Sequence, residues 1–351
     1  MQKSGTTALH YFLDRMTGID TGRHKEEHFF DNKQVAHFDP NSDVDRSEVK
    51  EHYMRYLGES WPQARHATNC SSETMRCETV NGGYNQGTID ISPSYIADRR
   101  VPWIMHELLP HASTVKLLLI LREPVARTLS GFFQACKGCY MDHLRTVVPR
   151  ELELLKKCYN STVGFGAGYG ANMARLPSDS ICSTGHEQMA RLHTCVRDDV
   201  REDNKPWFGH FTLDSVADLE PFRQEIHRRN DPYQGVLFRS IYVDSIKNYL
   251  CAGFRPEQFL IMTTNELHDM ETAVRRIGHF IGKDLRPKVE GLFQSSNYNK
   301  NSKAKGRDFS PEMRSKLQSF FRPYNEALLE LLLNNPFNIN QKFLLEEFTQ
   351  Y

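Results

Sequence analysis

Lys3-Ser4-Gly5-Thr6-Thr7 sets a cation, a flexible glycine and hydroxyl side chains directly before Ala8-Leu9-His10-Tyr11-Phe12-Leu13, a stretch with helical apolar spacing. The first N–H groups of a helix have no intrahelical acceptor and lie at the positive end of the dipole, so such a loop can hold an anion. A second basic group, Arg122, follows the β-compatible stretch Val115 to Leu121, and Ser130 comes eight residues later, beyond a turn at Pro124. Ligands of open parallel sheets gather at the carboxyl ends of strands, where an arginine so placed can share one phosphate with a helix hydroxyl. Together the two segments supply two separated anion holders, as a ligand charged at both ends requires. Taken singly, the first also reads as a capping turn and the second as a surface ion pair.

Two other clusters could do chemistry. His24-Lys25-Glu26-Glu27-His28 fits H-x-x-E-H, the zinc motif of inverted metallopeptidases, but Phe29-Phe30-Asp31-Asn32 follows at once where that motif expects a helical setting. Cys136 and Cys139 form CKGC with no second C-x-x-C to complete a four-cysteine metal site, so a disulfide or a pair of thiols is expected there.

The elements that must position these groups alternate between strand and helix. Val115 to Leu121 and Phe259 to Met262 read as buried strands. Val125 to Phe133, Leu237 to Leu250 and Met270 to Ile281 read as helices. Such alternation implies a parallel sheet. Ser310-Pro311-Glu312 is a cap, a first-turn proline and an acidic first turn ahead of a helical pattern reaching Leu333. Between Gln134 and Asn230 the pattern dissolves into Gly, Cys, Pro and charged residues, which predicts a partly irregular insertion.

In order along the chain, KSGTT and LREPVARTLS look like the two donor-binding motifs of sulfotransferases that use 3'-phosphoadenosine 5'-phosphosulfate (PAPS). KEEHFFD, Lys25 to Asp31, resembles the acidic motif of heparan sulfate 3-O-sulfotransferases and that of the chondroitin GalNAc 4-sulfate 6-O-sulfotransferase. RSIY, Arg239 to Tyr242, and KGR, Lys305 to Arg307, are similar to heparan sulfotransferase segments, and FFRPYNEALLELL, from Phe320, to the chondroitin enzyme. The resemblance covers most of the chain outside roughly 134–232. It implies one α/β domain with a P-loop-NTPase-like parallel sheet flanked by helices and a large irregular insertion.

It also implies site roles. Glu26 would be the catalytic base, with His28 beside it. Lys3 would offset charge on the bridging oxygen of the phosphosulfate, with Ser4, Gly5, Thr6 and Thr7 around it. Arg122 and Ser130 would bind the 3'-phosphate, and Lys305, Gly306 and Arg307 would close over the nucleotide. Asp31 and Arg239 would meet a glycan acceptor, no metal would be needed, and the setting would be the Golgi lumen. Where heparan 3-O-sulfotransferases read EKTPAY, this chain has Asp90-Ile91-Ser92-Pro93-Ser94-Tyr95, so Ile91 stands at the position of their active-site lysine and acceptor chemistry is expected to differ. A relative of the same fold that binds glycan without catalysis is the alternative.

Composition bounds these readings. The 351 residues carry 44 Lys and Arg against 44 Asp and Glu, so no net field favours nucleic acid and any anion site must be a local cluster. The longest apolar stretch is far short of the roughly 20 residues a membrane helix needs, and no leader or anchor is visible in this chain. The even count of eight cysteines hints at disulfides. Asn69-Cys70-Ser71 and Asn160-Ser161-Thr162 fit the glycosylation pattern. A nucleoside-triphosphate kinase is disfavoured by the lack of G-x-x-x-x-G-K-[ST].

Overall fold

The computed structural model describes residues 4–21, 29–30, 87–98, 101–109, 112–135, 141–163, 236–293 and 308–349. In chain order the elements are α1 (Thr6–Leu13), β1 (Ile19–Asp20), β2 (Gly87–Thr88), α2 (Val101–Leu108), β3 (Leu117–Leu121), α3 (Pro124–Ala135), α4 (Met141–Val163), α5 (Tyr242–Cys251), β4 (Phe259–Thr263), α6 (Met270–Ile281), α7 (Pro311–Leu333), β5 (Asn338–Ile339) and α8 (Gln341–Phe348). β4 lies between β3 and β5, and all three run parallel. Leu117 pairs with Phe259 and Leu121 with Thr263, so the carboxyl ends of β3 and β4 are level. β1 and β2 form a separate parallel pair.

Side chains alternate across a strand, and here both faces are apolar. Ile120, Leu260 and Met262 pack against Leu9, Phe12 and Leu13 of α1 and Ala273, Val274 and Ile277 of α6. Leu119, Leu121, Phe259 and Ile261 belong to the larger core with Val125 and Phe132 of α3, Ile246 of α5, Phe321 and Leu328 of α7, and Leu344 of α8. The sheet thus has helices on both faces, and parallel pairing follows because each strand returns through a helical crossover.

Caps explain the helix bounds. Ser310 Oγ accepts the Met313 N–H at 3.2 Å, with Pro311 in the first turn, as its sequence implied. α6 starts at Asp269, whose carboxylate accepts the Thr272 N–H at 3.1 Å and the Thr272 hydroxyl at 2.7 Å, and it ends on Gly282 at φ 68°. The Thr272 bonds hold the Asp269 carboxyl below its ordinary range. Asp269→Ala is therefore expected to cost about 1 kcal/mol in urea unfolding at neutral pH. A folded pKa below the unfolded one gives stability that is present above the unfolded value and lost as pH falls through the folded value, so the difference between the two proteins should close in acid.

Three expectations need adjustment. The first strand is Leu117–Leu121 rather than Val115 to Leu121, because the Gln258 side-chain amide donates to the carbonyls of Ala112 and Val115 and holds that approach as a loop. The helix read from Leu237 is a 3-10 turn over Phe238–Ser240, with α5 starting at Tyr242. The stretch read as a partly irregular insertion, with no helix assigned in it, contains α4, 23 residues long, whose buried Leu144, Val147, Val148, Leu152 and Leu155 form one stripe despite Pro149. Cys251, at the end of α5, is disulfide-bonded. Among the described residues no helix is long and apolar enough to cross a membrane.

Candidate functional site

The carboxyl edge of β3 and β4 is where the two sequence motifs meet the fold. Gly5 is the N-cap of α1 at φ 90°, and a Cβ there would come within 2.5 Å of Leu267 Cδ1. Leu267 belongs to the 3-10 turn Glu266–His268 that follows β4. The Ser4–Gly5 loop therefore rests on the turn at the end of β4, and only glycine satisfies both the left-handed backbone and the close approach. Ser4 is fully buried, and its Oγ has no hydrogen-bond partner among the described residues. Gly5 has no side chain with which to cap α1, and the first turn holds no acidic residue. Thr6 is buried and Thr7 exposed.

Arg122 is half-buried directly after β3. Its carbonyl accepts the Tyr242 hydroxyl at 2.7 Å, and burial raises that phenol above its ordinary range, so it stays a neutral donor. The strand ends are bound together: the Thr264 N–H donates to Leu121 O at 2.9 Å, and Glu347 Oε1 accepts both the Glu123 N–H at 2.7 Å and the Thr264 hydroxyl at 2.9 Å. Among the described residues, Glu347 Oε2 and Thr263 Oγ1 are buried with no hydrogen-bond partner. Ser4 Oγ, Thr263 Oγ1 and Glu347 Oε2 are thus buried at or beside this edge without a partner among the described residues, and each needs a water or another polar group to satisfy it.

The two helix starts differ in what they offer. Glu123 caps α3 with its own carboxylate, which accepts the Val125 N–H at 2.8 Å and the Ala126 N–H at 2.6 Å. An anion beside α3 must rely on side chains such as Arg122 and Ser130, which is half-buried on the second turn, while α1 keeps its backbone donors. Arg239 is half-buried in the 3-10 turn that packs on α3, where Ser240 Oγ lies 3.3 Å from Thr128 Oγ1. Beneath it Arg127, fully buried, donates from Nη1 to Val236 O at 2.6 Å, and Glu151 of α4 accepts the N–H groups of Val236, Leu237 and Phe238 at 3.0, 2.7 and 3.2 Å. Desolvation lowers the Arg127 pKa, opposed by Tyr242 and Glu151.

Lys3, Glu26, His28, Asp31, Lys305, Gly306 and Arg307 lie outside the described residues, as do His24 of the zinc motif and the CKGC pair. Phe29 and Phe30, which follow His28, are buried, and the Phe30 N–H donates to the Tyr95 hydroxyl at 3.2 Å. Among the described residues no group of three His, Cys, Asp or Glu could hold a metal.

No family model matches the chain, and no curated protein matches it. The geometry adds Arg127, Glu151 and Glu347 to the residues that frame this edge. Arg127 alone lies inside the second motif, Leu121 to Ser130; the others act across long chain separations that no short motif encodes.

Proposed function

We propose that this chain is a PAPS-dependent carbohydrate sulfotransferase with a P-loop-NTPase-like sheet, acting on a hydroxyl of a glycan in the Golgi lumen. What supports the reading is that Ser4–Gly5, before α1, and Arg122, after β3, both stand at the level carboxyl edge of a parallel sheet, where the two anion holders read from the sequence would face one ligand. The buried, unpaired Ser4 Oγ fits a ligand that brings its own hydrogen-bonding oxygens.

PAPS, when bound, supplies a sulfuryl group on a good leaving group. The backbone donors at the start of α1 and the Lys3 ammonium would hold and neutralise its 5' end. Arg122 and Ser130 would hold the 3'-phosphate, with Lys305, Gly306 and Arg307 closing over the nucleotide. A sugar hydroxyl is a weak nucleophile at neutral pH, so Glu26 would take its proton as the oxygen attacks sulfur in line, with His28 beside it. Asp31 and Arg239 would contact the acceptor. This scheme uses fixed charges and no metal.

Labelled PAPS incubated with heparan and chondroitin sulfates and their desulfated forms tests the proposal. Label moving to a glycan supports it. PAP binding without transfer would favour the glycan-binding relative, and activity lost to EDTA and restored by zinc would favour the HKEEH reading. Arg122→Ala is expected to weaken PAP binding by about 1.5 to 3 kcal/mol, roughly 10- to 150-fold, in an equilibrium titration. Unchanged affinity would place the 3'-phosphate elsewhere.

A further inference from the structure

Only two backbone torsions per residue are soft, so the direction in which a side chain leaves the backbone is set by the two peptide planes beside it. Both planes flanking Arg122 are held by partners far along the chain. The Leu121 carbonyl accepts the Thr264 N–H at 2.9 Å, which continues the β3–β4 pairing past the strand ends. On the other side the Arg122 carbonyl accepts the Tyr242 hydroxyl of α5 at 2.7 Å, and the N–H of the same peptide, that of Glu123, donates to Glu347 Oε1 of α8 at 2.7 Å. That carboxylate oxygen also accepts the Thr264 hydroxyl at 2.9 Å, so one side chain ties the turn after β3 to the turn after β4. The two helices brace each other here, since Phe348, next to Glu347, meets the Tyr242 ring edge to face at 6.0 Å. Tyr242 is 2% exposed and Glu347 6%, which shields both bonds from competing water.

We infer that Tyr242 and Glu347 are positioning residues, which clamp the peptide after Arg122 from both sides and hold the arginine in the backbone conformation from which it binds the 3'-phosphate of the nucleotide. The inference rests on the proposed function. Strand pairing alone does not call for such a clamp: β3 ends at Leu121, and a peptide beyond a strand end can be completed by water. Here a buried phenol and a buried carboxylate, 120 and 224 residues away, complete a single peptide. An arginine–phosphate contact is directional as well as charged, and a backbone already fixed lowers the ordering cost of making it.

Tyr242→Phe removes one oxygen and keeps the ring against Phe348. It is expected to weaken PAP by about 3- to 10-fold in equilibrium titration, the scale of one hydrogen bond, while adenosine 5'-phosphate, which has no 3'-phosphate, binds as it does to the unmodified protein. In an Arg122→Ala background Tyr242→Phe should cost no further PAP affinity, because its effect passes through the arginine. Glu347→Ala should repeat the selective loss, and Glu347→Gln, which keeps an acceptor for the Glu123 N–H, should recover most of it. A merely structural role would weaken both nucleotides alike or move Tm alone. Unchanged PAP affinity in Tyr242→Phe, an equal loss for the two nucleotides, or a further loss on top of Arg122→Ala would each overturn the positioning role. Any of these in a protein whose PAP binding is weakened by Arg122→Ala sinks the clamp alone. If the unmodified protein shows no saturable PAP binding, the donor reading itself fails and the positioning role falls with it.

Discussion

Glu26→Gln is expected to lower turnover by about 10²- to 10⁴-fold, the usual contribution of a positioned general base. The amide keeps the shape of the carboxylate but cannot take the hydroxyl proton as the sulfuryl group is attacked. Because a base acts on the acceptor rather than on the nucleotide, PAP affinity should stay within about twofold of the unmodified protein. This split between chemistry and binding marks an interaction made in the transition state. Single-turnover transfer from PAPS, measured beside a PAP titration, checks both halves. A rate close to that of the unmodified protein would remove Glu26 from the role, and a loss confined to PAP affinity would make it a nucleotide contact.

Glu151→Ala is expected to produce the largest loss of stability, about 3 to 5 kcal/mol in urea unfolding. The carboxylate is fully buried and accepts three consecutive backbone N–H groups, those of Val236, Leu237 and Phe238. Its removal strands those donors and takes away a negative charge that favours the buried, protonated Arg127 guanidinium. Glu151→Gln keeps an acceptor oxygen and should fall between the two. Since the same N–H groups open the turn that presents Arg239, a folded Glu151→Gln protein should also show weaker acceptor use with PAP affinity intact. A loss below about 1 kcal/mol for the alanine variant would mean that water or a rearranged turn satisfies the donors.

Parts of this architecture were legible in the residues because their signals are local. The apolar run that contains Leu117–Leu121, the helical spacing over α6, and Ser310-Pro311 before α7 each show in a few neighbouring residues. β5 escaped notice because two residues, Asn338 and Ile339, complete the sheet by pairing with β4 and carry no pattern of their own. α4 was obscured by Pro149 and the charged residues around its apolar stripe, although the stripe is regular once the helix is known. The candidate site divides in the same way. Ser4–Gly5 and Arg122 were found from a turn before a helix and a basic residue after a strand. Glu347 and Glu151 were not, since Glu347 meets Glu123 across 224 residues and Glu151 meets Val236 across 85. Each is an ordinary polar residue until folding supplies its partner.

Equilibrium titration of the purified chain with PAP tests the central claim most directly, because the edge formed by Ser4–Gly5 and Arg122 is proposed to hold a nucleotide charged at both ends. The account predicts one saturable site that PAPS competes for, that tolerates EDTA, that weakens with added salt as charged contacts must, and that loses affinity in Arg122→Ala. Absence of saturable binding at millimolar PAP, or binding equal to that of a nucleotide lacking the 3'-phosphate and unaffected by Arg122→Ala, would contradict it.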